Sequence, residues 1–175
     1  MARKVNEEER AARINEILDA AQALIQAKGY EEMTVQDLLD ALQISKGAFY
    51  HYFDSKQALL EALVGRMVEQ MTGMLQPLVD DERMPALSKL EAVLMAAAGW
   101  KTERIDVLAP LIRVWYADEN HLVREKLGRE GMERFRTLLE TIIEQGIAEG
   151  TVTTDYPDMA GSIALELLRG MSEEI

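Results

Sequence analysis

Residues 34–60 read TVQDLLDALQISKGAFYHYFDSKQALL, two short helical segments around a tight turn followed by the start of a longer helix. Thr34 opens the first segment: its hydroxyl can cap free backbone N–H groups, and Asp37 stands where a capping-box partner belongs. Val35, Leu38, Leu39 and Leu42 mark one apolar stripe at helical spacing, and the stripe stops at Gln43 and Ile44. Ser45 is the next cap, and the spacing predicts a second helix from Lys46 to about Phe53. Asp54 and Ser55 offer a third start, ahead of Ala58, Leu59, Ala62 and Leu63.

Two short helices joined by a turn of three to four residues form a helix-turn-helix unit. Phe49 and Phe53 share one side of the second helix and face inward, while Lys46, Gly47, Tyr50 and His51 fall mainly on the other. That outer face suits a polyanion. Lys46 offers charge, Tyr50 a hydroxyl for a phosphate oxygen, and Gly47 room for backbone near a groove floor. The rival reading is an ordinary helical hairpin with exposed aromatics, and exposed tyrosines alone do not decide between the two.

Ser45 through Leu59, SKGAFYHYFDSKQAL, resembles the signature of the tetracycline-repressor (TetR) family of bacterial transcription regulators. Ile17 through Gly29 and Thr34 through Leu38 fit the same pattern, so the resemblance covers residues 1 to about 65. It implies an all-α fold. A three-helix helix-turn-helix DNA-binding domain would occupy residues 1–56, and a helical effector-binding and dimerisation domain residues 57–175. It also implies a ligand-responsive regulator, a repressor that binds a double-stranded DNA operator as a homodimer and is released by a small-molecule effector. By the same resemblance Thr34 contacts phosphate from a helix N-terminus, where free N–H groups and the helix dipole favour an anion. Ser45, Lys46 and Gly47 lie over bases or backbone, Tyr50 and His51 contact backbone, and Lys56 clamps a phosphate. Tyr52 either contacts DNA or packs against the first helix.

The composition is consistent with this and closes other routes. The chain has 175 residues, 48% of them hydrophobic, and a net charge of −12, which argues against a generic nucleic-acid binder. Residues 1–56 carry 7 Lys/Arg against 10 Asp/Glu, a net of −3, so binding must rest on local geometry and be strongly salt-sensitive. Arg3 and Lys4 could reach DNA as an arm or be a solvated tail. Cysteine is absent, which excludes disulfides and thiol chemistry. Glu7, Glu8 and Glu9 follow Arg3 and Lys4 where a signal peptide needs an apolar core, and runs such as Ala92 to Trp100 are too short for a bilayer. A cytoplasmic protein with no membrane partner is expected.

No Gly-rich phosphate loop or His-x-x-x-His spacing supports an enzyme, a metal site or a cofactor. His121 beside Asp118 and Glu119 reads as a solvated helix start rather than a catalytic site.

Apolar periodicity places a first helix from about Asn6 to Lys28, closed by Gly29, and a long fourth helix from Ser55 to near Pro77. A fifth is suggested by Leu87, Leu90, Val93, Leu94 and Ala97 and ends around Gly99. A sixth, from about Thr102 to Ala117 with Ile105, Leu108, Ile112, Trp115 and Tyr116 in its pattern, should be kinked or split by Pro110. The seventh runs from about Glu119 to Glu149 and the eighth starts at Pro157. The family usually adds one more helix, which pairs with the eighth across a two-fold axis; here the sequence stops at Ile175, so that helix is expected to be missing or the interface abbreviated. Met67, Met71, Met74, Trp100, Ile112, Trp115, Tyr116, Met132 and Phe135 are the candidates to line an effector cavity, being adaptable or flat apolar side chains. Such residues at helical spacing are usually core, and about half of them are expected to touch a ligand. The alternative to a regulator is a helical scaffold or small-molecule-binding protein that does not bind DNA.

Overall fold

The computed structural model describes the backbone of residues 2–115 and 121–172, and the side chains of residues 7–112, 129 and 131–167. Among the described residues every regular element is a helix: α1 (Ala2–Lys28), α2 (Val35–Leu42), α3 (Lys46–Tyr50), α4 (Lys56–Asp80), α5 (Ala86–Glu103), α6 (Ile105–Trp115), α7 (His121–Ala148) and α8 (Pro157–Ser172). The protein is all-α, with the helix-turn-helix near its N-terminus. None of these helices is long and apolar enough to cross a membrane.

The chain forms two compact units. The first runs to Arg66 and takes in α6, whereas the boundary expected from sequence followed chain order at residues 56/57. Within it α1 packs against both α2 and α6. Of the stripe Ile14, Ile17, Leu18, Ala21, Leu24 and Ile25 that spacing predicts for α1, Ile17, Leu18, Ala21 and Ile25 are buried and Ile14 and Leu24 half-buried, and Leu38, Leu39, Phe49 and Phe53 are buried in the helix-turn-helix. Fully burying each such large side chain contributes about 1.5–3 kcal/mol. Gly29 ends α1 at a φ of +85°, with its N–H donating to the Ile25 carbonyl at 2.8 Å.

The second unit begins at Met67, runs to Glu103 and takes in most of α7 and α8. Its core joins Leu75 and Val79 of α4, Val93 and Ala97 of α5, and Leu138 and Ile142 of α7. Lys89 is buried there, its ammonium donating to the Val79 carbonyl in the last turn of α4, where a cation meets the negative end of the helix. Gln145 donates to the Met84 carbonyl at 2.9 Å and the Ala86 N–H donates to Glu149 at 3.0 Å, which fastens the α4–α5 connection to the end of α7.

Several expected boundaries shift. α4 continues past Pro77 to Asp80 because Pro77 and Gly73 are both exposed, so the Gly73 carbonyl that loses its partner faces water. α6 likewise accommodates Pro110 without splitting, and α5 extends beyond Gly99 to Glu103. Leu87 and Ile105, which belong to the apolar patterns of the fifth and sixth helices, are each 54% exposed. The buried face of α5 is set by Ala86, Lys89, Val93, Ala97 and Trp100, and that of α6 by Val107 and Leu111, which turns Leu87 and Ile105 outward.

Candidate nucleic-acid interface

The start of α2 is built by one reciprocal contact. The Thr34 hydroxyl accepts from the Asp37 N–H at 3.1 Å and donates to Asp37 Oδ2 at 2.7 Å, and the Thr34 N–H donates to the same oxygen at 2.7 Å. This is the capping box its spacing predicts. Lys28, at the end of α1, adds its ammonium 2.6 Å from Asp37 Oδ2. Its bond, followed by those from Thr34, holds the Asp37 carboxyl well below the usual carboxylate range. Sequence reading missed Lys28, whose only signal is a cation in the last turn of the preceding helix. With the Thr34 hydroxyl proton committed to Asp37, the anion-binding donors of this helix start are the N–H groups of its first turn, which have no intrahelical acceptor.

α2 ends on Gln43, whose φ of 52° gives a left-handed cap without glycine, while the Ile44 N–H reaches back to the Leu39 carbonyl at 3.1 Å. The chain thus turns within three residues into Ser45, whose hydroxyl accepts from the Ala48 N–H at 3.2 Å. α3 stops at Tyr50, short of the expected Phe53. The N–H groups of Tyr52 and Phe53 both turn onto the Phe49 carbonyl, at 2.9 and 3.0 Å, and Ser55 then caps α4 by accepting from the Ala58 N–H at 3.0 Å.

This short helix divides its residues by face. Phe49 is fully buried with its ring centre 5.9 Å from that of buried Phe53. Ser45, Lys46, Gly47, Tyr50 and His51 are exposed, as is Thr34. The Tyr50 ring stands edge-on to Phe49 at 5.3 Å, which leaves 43% of Tyr50 in solvent, and the Lys46 ammonium lies 5.9 Å from its ring centre. A Cβ on Gly47 would meet only Ser45 Oγ, at 3.9 Å, so the space above this residue is open. Tyr52 is half-buried and packs edge-on against His51 at 5.0 Å.

Lys56 is half-buried at the first position of α4. Its ammonium donates to the Glu31 carbonyl at 3.2 Å and lies 4.2 Å from the centre of the Tyr30 ring. One of its three donors is thereby used. The face is one of exposed polar groups on rigid supports, with hydroxyl, ammonium and imidazole donors around an uncrowded glycine, and it can make the hydrogen bonds and close backbone approaches that duplex DNA requires.

The residues expected at an effector cavity separate. Met67 and Trp100 are buried, and Met71 and Phe135 are partly buried against the core of the second unit. Met74, Ile112 and Met132 are exposed, at 39%, 49% and 45%, and Ile112 belongs to the first unit. Tyr116 and the Trp115 side chain lie outside the described residues. Between α4 and α7 the second unit holds a groove of about 330 Å³ lined by Glu69, Thr72, Gly73, Gln76, Arg134, Thr137 and Leu138. None of these was among the cavity candidates from sequence, because the polar residues at helical spacing read as a solvated face and Leu138 reads as core.

These elements define a helix-turn-helix protein of the DNA-binding class. Residues 17–63 match the model of the bacterial regulatory proteins of the tetR family. The HTH-type transcriptional repressor KstR2 of Rhodococcus jostii is 27% identical over 149 residues, 83% of this chain and 71% of that protein. The HTH-type transcriptional repressor Rv1474c of Mycobacterium tuberculosis is 41% identical over 68 residues, 39% of this chain and 36% of that protein. Among solved structures, a transcriptional regulator from Cytophaga hutchinsonii aligns with a TM-score of 0.77 at 16% identity, covering 92% of this chain and 80% of that one. FadR from Bacillus subtilis, in complex with stearoyl-CoA, aligns at 0.73 with 22% identity, covering 90% of this chain and 82% of that one. Residues 17–63 are thus a TetR-family DNA-binding domain, and along most of its length the chain is similar to transcriptional regulators of that family.

Proposed function

We propose that this protein is a cytoplasmic, ligand-responsive repressor that binds its operator as a homodimer, each subunit placing α3 in a major groove. The observation that carries this reading is the exposed Lys46–Gly47–Tyr50 face held by buried Phe49 and Phe53. Two such helices related by a two-fold axis suit half-sites roughly one turn, about 34–36 Å, apart. The first-turn N–H groups of α2 that follow Thr34, together with Ser45, His51, Tyr52 and Lys56, surround the face as phosphate contacts. Dimerisation is supported by α8, where Met159, Ile163 and Leu167 form an apolar stripe at four-residue spacing that is 56%, 49% and 66% exposed.

Effector binding belongs to the helical part beyond residue 56. The neighbour bound to stearoyl-CoA makes a long-chain acyl-CoA the first probe. α4 is one continuous helix shared by both compact units, and an effector that prefers one setting of it loosens operator binding by the same coupling energy with which the operator loosens the effector. The test is a gel shift on DNA upstream of the gene and on duplex selected from a random pool. Lys46→Ala and Tyr50→Ala should each weaken binding at least about tenfold, a loss near 1.4 kcal/mol. Equal retardation of wild type and both variants rejects α3 as the recognition helix.

A further inference from the structure

Arg66 lies on α4 at the end of the first compact unit, and its guanidinium reaches along one face of α1. Nη1 donates to the Asn15 carbonyl at 3.3 Å and to Asp19 Oδ1 at 2.7 Å, and Nη2 donates to the Gln22 amide oxygen at 3.3 Å. The side chain is only 13% exposed, and its Nε is buried with no hydrogen-bond partner among the described residues. An unpaired buried donor is costly, and an apolar side chain of similar volume often fills such a position at least as well. Asp19, the charged partner, is 73% exposed, so the ion pair itself adds little adhesion between α1 and α4. What the guanidinium adds is direction: its donors diverge in one rigid plane, whereas apolar contact is non-directional.

Three acceptors spread over two turns of α1 fix both the rotation of α4 about its own axis and its slide along α1. The recognition unit is tied to α1 through α2. On the other side of Arg66, α4 continues without a break to Asp80. Freedom at this junction is therefore freedom of α3. We propose that Arg66 is a positioning residue for operator binding, which fixes α4 against α1 and so narrows the half-site spacing that a pair of recognition helices accepts. This rests on the reading of the protein as a dimeric DNA binder.

The test uses the full chain. Wild type selects its site from a random duplex pool, and the site is then remade with its halves one base pair closer and one base pair farther apart, a displacement of about 3.4 Å along the duplex. Wild type should prefer one spacing. In Arg66→Gln that preference should shrink by about fivefold or more, while affinity for a single half-site stays the same. A purely structural role weakens binding to every duplex alike and leaves the preference intact. Arg66→Lys keeps a charge near Asp19 but loses the fork, and it should behave like the glutamine variant; restoration of the wild-type preference by lysine overturns the proposal. Should Arg66→Gln fail to fold, the double variant Asp19→Ala with Gln22→Ala removes two acceptors from exposed or half-buried positions and decides the matter in the same assay. An unchanged spacing preference in these variants overturns the role of Arg66 and leaves DNA binding standing. Failure of wild type to select any two-part site overturns the DNA-binding reading, and this inference with it.

Discussion

The Lys56 ammonium lies 4.2 Å from the centre of the Tyr30 ring and also donates to the Glu31 carbonyl, so the first residue of α4 is pinned to the turn after α1. One contact serves both structure and DNA. Pinning restricts a flexible side chain before any phosphate arrives, and it leaves two N–H donors for that phosphate. Lys56→Ala should weaken binding to all sequences and reduce the slope of affinity against salt by about one unit. Tyr30→Leu keeps the charge, so it should lower thermal stability by about 1–2 kcal/mol with the salt slope unchanged. Anisotropy titrations across a salt series measure the slopes; an unchanged slope in Lys56→Ala makes the lysine a structural pin alone.

Asp37 gives the helix-turn-helix a defined response to acid. Its carboxyl titrates below the ordinary value of 3.8, chiefly because of the bond from Lys28 and then those from Thr34. A lowered folded-state value means that the ionised form favours folding. That contribution is complete above 3.8 and is lost progressively as pH falls below it toward the folded-state value. Asp37→Asn should therefore melt below wild type at neutral pH, with the gap narrowing at pH of about 3. Thermal melts at the two pH values check this, and a constant gap refutes it.

Gly161 sits where α8 comes close to α7. A Cβ there would meet Glu140 Cγ at 2.3 Å. Alanine normally gains about 0.5–1 kcal/mol over glycine inside a helix, but overpacking costs about 1–3 kcal/mol, so Gly161→Ala should destabilise. Once Glu140→Ala removes the obstructing carbon, the same change should stabilise. A double-mutant cycle by chemical denaturation reads the change of sign, and additive effects would show that the two helices do not meet this closely.

The exposed stripe of α8 supplies the dimerisation test. Ile163, between Met159 and Leu167, is 49% exposed. Ile163→Asp places a charge in the middle of the apolar stripe. Sedimentation velocity should show a shift toward monomer, and affinity for a two-half-site operator should fall while single half-site binding persists. An unchanged sedimentation profile would move the interface elsewhere.

Much of the helix-turn-helix was legible because its signals are short-ranged. Thr34 with Asp37, Ser45 with Ala48 and Ser55 with Ala58 are contacts across three residues, and the spacing of the chain fixes them before any packing occurs. The periodicity of Phe49 and Phe53 likewise settled which side of α3 is buried. The stop of α3 at Tyr50 was not legible, since the same residues fit a longer helix until Tyr52 and Phe53 turn back onto one carbonyl. Helix faces proved harder farther along the chain. Leu87 and Ile105 carry the hydrophobicity of core residues and yet lie outside, because the buried faces of α5 and α6 are set by their neighbours.

By itself, then, the sequence determined an all-helical chain, the caps of its recognition unit and the outward face of α3, because each depends on bonds within a turn or two. Tertiary structure alone decided that Lys28 binds Asp37, that Lys56 seats on Tyr30, that Arg66 grips α1 across 47 residues to Asp19, and that α6 joins the first unit rather than following chain order. Those pairings depend on the rotation and slide each helix adopts when its apolar stripe is buried. Residue spacing specifies the stripe but leaves the partner across it open.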